Sequence, residues 1–197
     1  MGLLTALLVL AVAPLVGPAT PSSAKARVVV ATGSVTCTTI TGTVTFSPPV
    51  RHVGTRPETQ TVSIRASHCR TSKSNVARVT GGRLVAAIHR PSNNCSDLLV
   101  AESPKSTGTW TPSSVHSTTA SFSGFSFVTN GVGDIGFTLP NAGGKARVTG
   151  SFAGKDHGAR SHATVYLNMT AHQFVAGCLS AAGVAREVII GGSATFG

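Results

Sequence analysis

Thr61-Val62-Ser63-Ile64-Arg65-Ala66 changes between polar and apolar at every step. Val62, Ile64 and Ala66 share one parity; Thr61, Ser63 and Arg65 share the other. Successive side chains of a strand point to opposite faces, so this period of two sets one face on a core and the other in water. A helix would scatter the same apolar residues around its axis. The pattern recurs outward from this stretch. KARVTGSF (Lys145–Phe152) places Ala146, Val148 and Phe152 inward and Lys145, Arg147, Thr149 and Ser151 outward. TVYLNMT (Thr164–Thr170) repeats it with Val165, Leu167 and Met169, and VIIGGSATF (Val188–Phe196) with Val188, Ile190, Ala194 and Phe196. Half-buried antiparallel strands read this way.

Two runs change phase once. Val79 has the opposite parity to Leu84, Ala86 and Ile88, with Gly81-Gly82 at the break; Phe122 and Phe125 differ across Ser123-Gly124. A β-bulge at each break would restore the apolar face. Turn clusters (SPP, RPE, PSNN, TNGVGD, PNAGG) divide the chain into roughly eight to ten strands. The expected fold is an all-β, antiparallel two-sheet β-sandwich, with a partly closed barrel as the second architecture. One short helix is expected over AHQFVAG, just before Cys178. NVARVTGG after Cys69 and GVAREVIIGG after Cys178 echo one another, and a strand-entry solution reached twice is preferred over a duplicated half-domain.

The N-terminus carries an apolar run, Leu3–Val16, followed by Ala24-Lys25-Ala26. This is the h-region and A-x-A pattern of a secretory signal peptide over residues 1–26, although no basic residue precedes the run. The run falls short of the about 20 apolar residues of a transmembrane helix, so no transmembrane anchor is expected. A single domain, residues 27–197, follows. Its four cysteines, Cys37, Cys69, Cys95 and Cys178, are an even set in an exported chain and read as two disulfides. Cys37 and Cys69 bracket two strand runs joined by a turn region, which predicts Cys37–Cys69 and leaves Cys95–Cys178. No pair has C-x2-C spacing, so no metal is expected.

VTCTTITGTVTFSPPV, a strand ending in SHC, then ARVTGG, NNCSDLL and GDIGFTLPNAGGKARVTGSFAG resemble a group of small secreted actinobacterial β-rich proteins with four cysteines. The likeness spans roughly residues 33–197. It implies export, four cysteines and a β-rich fold, and supplies neither a catalytic residue nor a ligand.

Sixteen Lys and Arg face six Asp and Glu, a formal net charge of +10. Between Arg51 and Arg90 the single acid is Glu58. Such a field attracts polyanions, and it equally serves solubility. The same stretch holds no Phe, Tyr or Trp, so the aromatic platforms of single-strand recognition are missing and sequence-specific nucleic-acid binding is not expected. No G-x-S-x-G, H-E-x-x-H or P-loop occurs. A hydrolase would have to draw on Asp134, Asp156 and His157 meeting at one rim. Yet Asp156 and His157 are flanked by Gly154 and Gly158, which reads as a hairpin turn. The resulting expectation is a secreted, monomeric, non-catalytic protein, extracellular or associated with the cell envelope, with no cofactor. It would bind an anionic polymer or acidic surface through Arg65, Arg78 and Arg83. A hydrolase using Asp134, Asp156 and His157, and a structural envelope component, are the alternatives.

Overall fold

The computed structural model describes residues 27–76, 78–99 and 105–197, with backbone alone for 98 and 99. The expected signal peptide and its cleavage site therefore lie outside the described residues. The strands are Val35–Val50 (β1), Glu58–Thr71 (β2), Gly81–Arg90 (β3), Lys105–Thr111 (β4) and Thr118–Phe122 (β5). They continue with Ser126–Thr129 (β6), Asp134–Leu139 (β7), Ala146–Gly150 (β8), His162–Thr170 (β9) and Val184–Phe196 (β10). One α-helix, Ala171–Leu179 (α1), precedes β10, and a 3-10 turn covers Cys95–Leu99.

All ten strands join one antiparallel sheet in the order β6-β7-β9-β10-β1-β2-β3-β4-β5-β8. The all-β antiparallel reading holds, with a difference in layering: one sheet curls into a half-barrel where two stacked sheets were the first expectation. The cause lies at Ser123-Gly124. That phase change is no bulge, because β5 lies near one edge of the sheet and β6 forms the other edge. Residues 123–125 carry the chain across, spanning at most about 14 Å from Phe122 to Ser126. Residues 140–145 make a second crossing from β7 to β8. The two run side by side: Ser123 N–H donates to the Lys145 carbonyl, and Lys145 N–H donates to Ser123 Oγ. Gly124, at φ 71°, takes a left-handed conformation that a side chain would strain. Two such short links oblige the sheet to bend until its edges approach.

At Gly81-Gly82, too, the expected bulge is absent: β2 and β3 pair in unbroken register from Glu58↔Arg90 to Ser67↔Gly81. The strand simply starts there. A Cβ on Gly82 would stand 2.9 Å from the Trp110 ring, so glycine leaves room for the indole. Trp110 is buried edge-on against Phe152 and Phe196, with centroids at 5.2 and 5.9 Å, and its Nε1 donates to Thr118 Oγ1 at 2.8 Å. These rings, with Val35, Val148 and Ile189, fill one part of the interior.

Both expected disulfides are present, Cys37–Cys69 between register partners on β1 and β2, and Cys95–Cys178 from the 3-10 turn to α1. They close separations of 32 and 83 residues and each contributes about 2–4 kcal/mol. The internal echo is not structural: Val76 and Arg78 lie in a loop, whereas Val184–Arg186 open β10. Three face assignments also change. Ser151 is fully buried, accepting from the Ala31 N–H. Val188 and Ile190 are exposed, while Glu187 and Ile189 take the inner face.

Candidate ligand cavity

The inner face of the curl is built from the alternation described above. One register row runs Glu187, Val44, Val62, Ala86, Ser106, Ala120, Val148 across β10, β1, β2, β3, β4, β5 and β8. The adjacent row places Phe46, Gln60 and Ile88 together, and the row on the other side places Ile64 beside Leu84. Several of these inward residues, among them Val62, Ile64, Leu84 and Ile88, are only half-buried although they point away from the outer surface. What they face is an apolar cavity of about 220 Å³. Phe125, Phe127 and Phe137 reach it from the seam between the sheet edges, their rings 5.1–5.3 Å apart, and Phe174 of α1 reaches it as well.

The polar groups of this interior are mostly satisfied. Ser106 Oγ donates to the Ala120 carbonyl and Thr118 Oγ1 to that of Ser151. Glu58 and Arg90 are register partners of opposite charge, both buried, and Arg90 also donates to the Asp97 carbonyl. Two acceptors differ. Gln60 Oε1 is buried without a hydrogen-bond partner among the described residues. Glu187 is 6% exposed, lines the cavity and makes no hydrogen bond or ion pair among the described residues. Burial pushes its carboxyl up to about 7.

Sequence reasoning overlooked Glu187. The run Val188-Ile189-Ile190 is apolar at every position, so its alternation has no phase of its own, and a one-residue slip exchanges the faces. The irregularity in β10–β9 pairing between Ile189 and Gly191 then lets Ala194 and Phe196 return inward. The charge at position 187, read as an inward residue next to an ambiguous run, was the available signal.

Of the basic residues expected to bind a ligand, Arg65 and Arg78 lie outside this cavity, whereas Arg83 borders it. Arg65 and Arg83 are exposed register partners on β2 and β3, as the alternation implied. Arg78 is exposed in the loop before β3 and does not belong to the strand face. Asp134 opens β7 and accepts from Asn130 Nδ2 at 2.9 Å within its own turn. Asp156 and His157 are exposed in the loop after β8, where the His157 carbonyl accepts from Val148 N–H. No hydrogen bond joins Asp134 to either of them. Among the described residues, no three His, Cys, Asp or Glu side chains gather as a metal site would require.

No family model, curated protein or solved structure matches the chain. The reading of function therefore rests on the molecule's own geometry.

Proposed function

We propose that the protein is an exported binding protein that holds a small apolar molecule inside its curled sheet. The cavity of about 220 Å³ carries this reading. It exceeds the roughly 150 Å³ of an engineered dry apolar cavity that takes up benzene. A concave, mostly apolar site with a few inward polar groups and a carboxyl of shifted pKa is the common form of a small-molecule site. Two disulfides suit an oxidising compartment, and no helix among the described residues is long and apolar enough to cross a membrane.

The basic exterior supports a companion role, attraction to anionic polymers or headgroups of the envelope. Glu58 and Glu187 are buried and, among the described residues, Arg90 is the one buried cation, so basic side chains dominate the outer surface. Arg65 and Arg83, side by side on the outer face, form the centre of that charge. The carrier would thus gather at anionic surfaces while its ligand stays within.

Titration with octanol tests the cavity. Trp110 is the chain's single tryptophan and lines the cavity, so its emission reports occupancy. Octanol should change that emission saturably and raise Tm. Ala86→Phe, which fills the central row, should weaken both effects. Emission and Tm that stay flat up to the solubility limit of octanol would overturn the proposal.

A further inference from the structure

Glu187 and Gln60 flank β1 on the inner face. Glu187 stands across from Val44 on one side and Gln60 across from Phe46 on the other. Their backbones are two strands apart, about 10 Å across the sheet. Both present acceptor atoms to the same apolar space, and neither has a partner among the described residues. A carboxylate in such a place bears a desolvation cost in the empty protein. A ligand that donates a hydrogen bond relieves it; a ligand that only accepts adds to it. Gln60 can turn its amide to meet either kind of atom, so Glu187 decides the preference.

We infer that the cavity selects an apolar molecule carrying one basic nitrogen, whose N–H group meets the Glu187 carboxylate. This selectivity rests on the ligand-binding reading above. The other charged side chains reaching the interior do not favour the opposite choice at this position. Arg90 is the register partner of Glu58 and is further occupied by the Asp97 carbonyl, and Arg83, which borders the cavity, is exposed and has its strand parity on the outer face. Inward residues of the flanking strands β1 and β9, such as Val44, Val165 and Leu167, are apolar.

The exterior makes the test discriminating. A chain of formal net charge +10 attracts carboxylates and repels ammonium ions over its outer surface, so nonspecific binding favours octanoate. Octylamine, octanol and octanoate share one apolar tail and differ only in the head group. Titrated at pH 8 with Trp110 emission as readout, octylamine should bind at least about tenfold tighter than octanoate. In Glu187→Gln the ratio between these two should shrink to within about threefold. A ratio taken within a single variant is insensitive to any general loss of stability. Lowering the pH to 6 should shrink the wild-type ratio too, because Glu187 takes up a proton and becomes a donor while octanoate stays largely ionised. Octanol binding with equal affinities for octylamine and octanoate would overturn the selectivity and leave the cavity reading standing. An amine preference that persists in Glu187→Gln would overturn the role of this residue. No binding of any of the three would remove both.

Discussion

Asp156 and His157 adjoin a glycine that matters more than either. A Cβ on Gly158 would lie 2.3 Å from Val148 Cγ2, and its φ of +85° is left-handed. Gly158→Ala should cost roughly 2–4 kcal/mol in denaturant unfolding, through strain and overpacking together. His157→Ala and Asp156→Ala should each stay within about 0.5 kcal/mol, since both side chains are exposed. Glu187 is the other decisive residue. Its folded pKa of about 7 stands above the 4.5 of a free glutamate, so between these pH values the folded protein holds more proton than the unfolded chain. Stability should fall as pH rises through that window and level off above it. The other buried charged groups, Glu58 and Arg90, are register partners of each other. Glu187→Gln should flatten the slope and raise stability at pH 8 by roughly 1–3 kcal/mol, measured by melts across pH 4–9.

Elements differ in how clearly they were written in the sequence. β2 was legible because its alternation is strict, and Val62, Ile64 and Ala66 do line the interior. β10 was half-legible, since consecutive apolar residues fix a strand without fixing its faces. The β5–β6 crossing was not legible at all. A glycine-containing phase slip looks alike whether the chain bulges in place or leaves one sheet edge for the other, and only long-range pairing decides. For the same reason the cavity was hidden: it belongs to the curl, not to any one strand. The helix was better marked. Thr170 caps α1, with its side chain accepting from Gln173 N–H and Gln173 Oε1 accepting from Thr170 N–H in return. Thr170→Ala should cost about 1 kcal/mol, and Thr170→Ser should restore most of it, as read from urea midpoints.

At the scale of the whole molecule, charge is largely sorted by depth, Arg90 being the buried cation beside Glu58. Carboxylates at 58 and 187 lie inside, while arginines at 65, 78 and 83 lie outside. Attraction to a polyanion should therefore be screened strongly, with a Debye length of about 8 Å at physiological salt. Arg65→Gln/Arg83→Gln should elute from an anionic column at distinctly lower salt than a control with two arginines removed elsewhere, such as Arg147→Gln/Arg160→Gln. Equal elution of the two variants would show a diffuse field in place of a face.

The paired crossings at residues 123–125 and 140–145 act on this molecule as a clasp. They pin the two free edges of the sheet to one another at one point along the seam, and their hydrogen bonds to each other hold the pin closed. At the clasp the edges cannot part wider than the stretched link, about 14 Å. The fastening thus sets a gauge for what can enter. On the proposed reading, a small apolar ligand would enter along the unpinned stretch, and an anionic polymer would meet the outer face that carries Arg65 and Arg83.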